Sequence, residues 1–207
     1  MPKWILYIAL FISAVFVLQI INPGVTETFL LVSSDIVSRP WILVTSIFLH
    51  GDIMHLLYNM LALVLFGMIL EKLVGERKFL LVFFVSGVFS SLAAAMLYSR
   101  VLGASGAVFG IIGALALLRP KMAVWAFGVP MPMIVAAGAW GILDIAGVFA
   151  PSGIANLGHL GGLFAGVVFG MAWRKKYPEP RKLKTRIVHD EEIDKWENVY
   201  MKVQKKA

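Results

Sequence analysis

The chain has 207 residues, of which 59% are apolar and 15% charged, and its mean hydropathy is +0.83. That balance excludes a soluble globular domain and places the chain among polytopic membrane proteins. No cysteine is present, so disulfides, a thiol nucleophile and a Cys-ligated metal are ruled out.

Six membrane segments follow in chain order. The first runs from about Trp4 to Ile21 and stops at Asn22-Pro23-Gly24. A lone Lys3 precedes it and no small-residue cleavage site follows, so it reads as a retained anchor. The stretch from Asn22 to His50 is too polar to span, yet it carries Phe29, Leu30, Trp41, Ile42 and Phe48. It is expected to fold as an interfacial loop, with Trp41 at headgroup level. The second segment covers Ile53 to Val74 and the third Phe79 to Tyr98. The fourth starts at Ser105 and ends at Arg119-Pro120; its 14 residues reach only about 21 Å, against a bilayer core of about 30 Å. Met122 to Met131 is broken by Gly128 and Pro130, and the fifth segment runs from Met131 to Phe149. Pro151-Ser152-Gly153 turns the chain into the sixth, Ala155 to Trp173. The expected architecture is an all-α bundle of six transmembrane helices over residues 1–173. A basic tail, 174–207, completes the chain.

The formal net charge is +7, and the tail supplies most of it, with eleven Lys/Arg against six Asp/Glu. Following a membrane segment, such a tail meets anionic lipid, so a bilayer surface and not nucleic acid is its expected partner. Ile193, Trp196, Val199/Tyr200 and Val203 recur at helical spacing, which predicts an amphipathic helix on the headgroups. Lys3, then Lys72, Arg77 and Lys78, then Arg119 and Lys121, then Arg174 to Lys176 mark one side of the membrane; the other has Arg39 and Arg100. Both termini are therefore expected in the cytoplasm of a cell-membrane protein, and the loop before Ser105 opens to the outside.

A short fourth helix puts the irregular stretch Gly103-Ala104-Ser105-Gly106 below the membrane surface, where such backbone must be buried or line an aqueous cavity. His55 and Asn59 share one face of the second helix. On the sixth, His159 shares a side with Gly162, Gly166 and Gly170, and the fourth offers a matching small surface at Gly106, Gly110 and Gly113/Ala114. If these surfaces meet, Ser105 and His159 come within reach of each other. Serine needs an adjacent base to become a nucleophile, and imidazole suits that role. The oxyanion formed on attack needs aimed donors: Asn59, His55 and the free N–H groups at the start of the fourth helix. Asp144, the one acid deep in a segment, lies 15 residues before His159 on the fifth helix and reads as a hydrogen-bond acceptor or interface residue. No acid is placed to orient the imidazole, so a Ser–His dyad is expected and not a triad.

Taken together, Gly103-Ala104-Ser105-Gly106, His55-x-x-x-Asn59 and His159-Leu160-Gly161-Gly162 on six helices resemble the rhomboid intramembrane serine proteases, from about Trp4 to Trp173. The resemblance implies Ser105 as nucleophile and His159 as base, with His55, Asn59 and the Ser105 backbone N–H as oxyanion hole. It implies that Gly162 and Gly166 pack helix six on helix four, and that His50 is structural, holding the loop by hydrogen bonds. Helix five would be the mobile wall with Trp140 at the gate. The expected substrates are single-pass membrane proteins, cut near the outer end of their helix, and the chain looks like the family's minimal six-helix form. No metal or other cofactor is expected, since the histidines lack a zinc-site pattern and the segments supply one carboxylate. The competing readings are a transporter or channel, which would want inverted repeats or midplane polar groups, and an inactive relative that binds membrane proteins without cutting them.

Overall fold

The computed structural model describes residues 3–150, 153–179 and 191–195. Within the described residues of 3–179, eight α-helices are defined: α1 (Trp4–Ile21), α2 (Gly24–Phe29), α3 (Ile42–Thr45), α4 (Ile53–Val74), α5 (Glu76–Ala95), α6 (Ser105–Leu118), α7 (Met133–Val148) and α8 (Asn156–Trp173). α1 and α4 to α8 are helices at the positions of the six expected segments. The third begins three residues earlier than expected and ends at Ala95, because Gly75, at φ 85°, turns the chain directly into a helix that starts with Glu76. By length and composition α1, α4 and α5 can cross a membrane; α6 and α7 are shorter apolar helices. The chain is an integral membrane protein of mainly helical fold.

The fold is not purely helical. β1 (Leu31–Val32) pairs antiparallel with β2 (Arg100–Val101), and β3 (Ala123–Ala126) with β4 (Val129–Pro132). Gly128, Pro130 and Pro132 read as breakers, yet they fit a two-stranded ribbon. Proline is tolerated on an edge strand, and Phe127 and Gly128 both take positive φ, 55° and 79°, as a two-residue hairpin turn needs. The β1–β2 pair ties the interfacial segment to the loop that leads into Ser105.

Two of the long helices start on an acidic side chain that accepts from their free backbone groups. The N–H groups of Lys3, Trp4 and Ile5 donate to the carboxylate of Glu71 on α4 at 2.9, 3.0 and 2.9 Å. A buried anion thus caps the positive end of α1. Asp52 caps α4 by accepting from the His55 N–H at 2.8 Å. Past α8, the Arg119 guanidinium donates to the carbonyl of Tyr177 at 3.0 Å, and Lys78 donates to the Tyr177 hydroxyl at 2.8 Å. Residues 191–195 form a helical turn; Trp196, Val199, Tyr200 and Val203 of the expected tail helix, and Pro151-Ser152 of the expected turn, lie outside the described residues.

α6 is the centre of the bundle: eleven of its fourteen residues are buried, as an all-round apolar helix must be. It is wedged between α5 and α8 through residues with little or no side chain. A Cβ built on Gly106 or Gly110 would overlap Ser90 or Ser86 of α5, and one on Gly162 or Gly166 would overlap the carbonyl oxygen of Gly106 or Gly110. In lipid, where apolar burial drives little, this close backbone approach is what holds helices together. Ser91 of α5 donates to the Leu43 carbonyl at 2.9 Å, while Ser86 and Ser90 pack against Gly110 and Gly106.

Candidate active site

The glycine contacts between α6 and α8 fix the depth of two side chains. Ser105 opens α6, His159 lies in the first turn of α8, and the Nε2 of His159 is 2.8 Å from the Ser105 Oγ. The imidazole lies flat on the Phe109 ring, centroids 4.4 Å apart and planes 8° from parallel. Phe109 follows Ser105 by one helical turn, so one helix carries both the hydroxyl and the surface that holds the imidazole plane. Phe109 was not singled out from sequence, although its i+4 spacing from Ser105 was there to read.

The expectation that no acid orients His159 is overturned. Asp144 Oδ1 lies 3.0 Å from His159 Nδ1. The fourteen intervening residues include a loop that folds α7 back beside α8, and separation along the chain gave no measure of that return.

The loop before Ser105 is shaped by Gly103. Its φ of 125° is closed to residues with a Cβ, and an added Cβ would sit 2.9 Å from two atoms of the His55 ring. The Gly103 N–H donates to the Ser46 carbonyl at 2.9 Å, and Ala104 is fully buried. Gly103 therefore lets the start of α6 lie close against the His55 imidazole. The Gly51 N–H points to His55 Nδ1 at 3.4 Å, which makes Nδ1 the acceptor and leaves Nε2 to carry the proton. Asn59 donates one amide N–H to the His55 carbonyl at 2.9 Å and keeps a second. His55, Asn59, Gly103, Ser105 and His159 all line one open cavity of about 810 Å³. Trp140 closes its side, ringed by Phe66 of α4 at 6.2 Å and by Phe127 of the hairpin tip at 5.9 Å.

His50 differs in detail from expectation. The loop is pinned through its backbone: its N–H donates to Gln19 Oε1 at 3.0 Å and its carbonyl accepts from Gln19 Nε2 at 3.1 Å. The ring packs edge-on to His55, centroids 5.0 Å apart. Burial first, then the His55 charge, push its pKa down from 6.5 to about 4, against weaker opposing pulls from the Phe48 backbone and Asp52. Between those values the unfolded chain binds a proton that the folded chain does not. Stability is thus full above about pH 6.5 and declines as pH falls towards 4, by up to about 3 kcal/mol at roughly 1.36 kcal/mol per unit. The thermal midpoint in detergent is expected to drop over that window, and the drop should shrink in His50→Gln. A pH dependence identical in both proteins would disprove the assignment. The exposed Glu27–Arg100 pair at the cavity mouth, 2.6 Å apart, lowers the Glu27 pKa and raises that of Arg100; exposed pairs of this kind contribute little to stability.

The profile of the Rhomboid domain family matches residues 37–176. The chain is 38% identical over 173 residues to "Rhomboid protease GluP" of Bacillus subtilis, an alignment covering 78% of this chain and 32% of that protein. It is 30% identical over 171 residues to "Rhomboid protein 1, mitochondrial" of Saccharomyces cerevisiae, covering 75% and 48%. To "Rhomboid-like protease 3" of Toxoplasma gondii the identity is 32% over 141 residues, covering 66% and 52%. The chain spans between about a third and a half of the length of these relatives.

Proposed function

Because the chain belongs to the rhomboid family, we propose that it is an intramembrane serine endopeptidase that cuts membrane-spanning helices of other proteins. The reading rests above all on one contact, the 2.8 Å between His159 Nε2 and Ser105 Oγ inside an open cavity. Ser105 is the nucleophile and His159 its base. His159 takes the hydroxyl proton as Oγ bonds to the scissile carbonyl carbon, then gives it to the leaving amine as the C–N bond breaks. The developing oxyanion is met by the Ser105 backbone N–H, the His55 Nε2–H and the free amide N–H of Asn59. Water enters the same cavity and releases the acyl group by the reverse sequence.

In this reading α1 and α4 to α8 form a six-helix transmembrane domain, 1–173, with both termini in the cytoplasm and the cavity opening to the extracytoplasmic side. The basic residues from 174 onward lie along the cytoplasmic headgroups. A single-pass substrate enters through the seam between α4 and α7, past Trp140, and is cut near its outer end. Gly106, Gly110, Gly162 and Gly166 hold the two reacting side chains at one depth.

The test is labelling of purified protein by a fluorophosphonate, together with cleavage of a generic transmembrane substrate in detergent or liposomes. A transporter or an inactive relative would do neither. Loss of one oxyanion donor in Asn59→Ala is expected to lower kcat by roughly 100- to 1,000-fold, about 2.7–4 kcal/mol, while leaving Ser105 able to react slowly with the probe. Unchanged kcat in that variant would remove Asn59 from the oxyanion hole.

A further inference from the structure

α7 carries a single ionisable side chain, Asp144, among sixteen residues that are otherwise apolar or small. It is 6% exposed. A carboxylate held in a membrane segment is costly unless it is paired, and is retained where it is used. An acid kept for helix packing would bond to the neighbouring backbone or to polar side chains. Among the described residues Asp144 bonds to no backbone group and to one side chain: Oδ1 meets His159 Nδ1 at 3.0 Å, and Oδ2 has no partner. That partner is the imidazole that faces Ser105.

We infer that Asp144 is a positioning residue for His159 and that it extends the pair into a Ser–His–Asp array; this rests on the protease reading above. The chemistry follows from the two ring nitrogens. With the Nδ1–H donated to Asp144, the neutral ring has its lone pair on Nε2, towards the Ser105 hydroxyl. The opposite tautomer would put a proton where a base is needed. Phe109 fixes the plane of the ring, but a stack alone does not distinguish a ring from the same ring turned over; the carboxylate does. When Ser105 attacks, its proton moves to Nε2 and the imidazolium forms beside Asp144. The carboxylate stabilises that charge and leaves the Nδ1 proton in place, and the Nε2 proton passes to the leaving amine.

The other groups near the ring are few. His55 of α4 shares the cavity, Asp52 binds the backbone of His55, and Arg100 at the mouth is paired with Glu27. α5 contributes serines to the cavity lining, and α8 holds no ionisable group besides His159.

The experiment compares Asp144→Asn with Asp144→Ala on a transmembrane substrate, measuring kcat and the pH profile of kcat/KM, with thermal midpoints recorded alongside. Asn has the shape of Asp, but its amide can donate to Nδ1 and select the wrong tautomer. A positioning role gives Asp144→Asn at least about 100-fold lower kcat, no better than Asp144→Ala, at a near-native midpoint. It also alters the acid limb of the profile, because the carboxylate no longer faces the ring that takes the proton. A packing role gives the reverse order, with the Asn variant within about threefold of the parent and the acid limb unmoved, and that result overturns the inference. If the Asn variant is not recovered folded, the pH dependence of fluorophosphonate labelling in Asp144→Ala decides the point in the same way. A native chain that neither labels nor cleaves, or a Ser105→Ala variant that still cleaves, overturns the protease reading and this inference with it. Loss of cleavage in Ser105→Ala beside a near-native Asp144→Asn overturns this inference alone.

Discussion

Ser105→Ala is expected to abolish both fluorophosphonate labelling and substrate cleavage without unfolding the protein. The Oγ is the atom that would form the covalent bond. In unrelated serine proteases, loss of the nucleophile or its base lowers kcat by roughly 10⁶-fold, which here means no product in a gel assay. The replacement should be mild for the fold. Ser105 stands at the first position of α6, and among the described residues its side-chain hydrogen bond is to His159. Helix α6 has its first-turn geometry set by Gly103 and by the buried Ala104, neither of which changes. His159→Ala should match the effect on activity, because an unassisted hydroxyl is a poor nucleophile near neutral pH. The double variant should be no worse than either single one, since two groups that act as a unit are lost together. Residual cleavage in Ser105→Ala would place the chemistry on another residue.

The second large effect is expected at the helix interface. A methyl group on Gly166 would lie within 2.6 Å of the carbonyl carbon and 2.8 Å of the Cα of Gly110, and would overlap its oxygen. Backbone on both sides has no rotamer with which to yield, so α6 and α8 must separate. Overpacking of this kind costs about 1–3 kcal/mol for small additions, and Gly166→Val adds three carbons. The thermal midpoint in detergent should fall by several degrees, and activity should fall further than stability does. Gly166 lies two helical turns from His159 on one rigid element, so separation of the helices also opens the 2.8 Å contact to Ser105. Gly138→Ala is the control, because a Cβ there meets no atom within 4 Å. That variant should be neutral or slightly stabilising, as loss of glycine freedom in the unfolded chain favours folding. Equal effects at the two positions would mean that the glycine seam is not what sets the register of the site.

Helix termini were legible because their causes are local. Asn22-Pro23 ends α1 and Arg119-Pro120 ends α6, each by the chemistry of two or three adjacent residues, whereas the start of α5 at Glu76 was placed three residues late. The meeting of α6 with α8 was legible for a related reason. Glycines at matched spacing leave flat surfaces, and two such surfaces have one close registration, which brings Ser105 to His159.

What escaped the sequence depends on return paths through loops. The hairpin 123–132 was hidden because its glycine and prolines read equally as breakers, and only pairing partners distinguish an edge strand from a coil. The contact between Phe127 and Trp140 follows from that pairing and had no signal along the chain. Asp144 is the clearest case. Its place on α7 and the place of His159 on α8 were both correctly assigned to helices, yet whether the two side chains face each other depends on the rotation and depth of α7, which no motif encodes. The sequence by itself therefore determined where the helices form and which small residues line the seam between α6 and α8, since these rest on short-range periodicity and backbone chemistry. The tertiary structure alone decided which acid sits behind the imidazole and which rings surround Trp140, since those contacts join elements whose relative rotation is set by packing against the whole bundle.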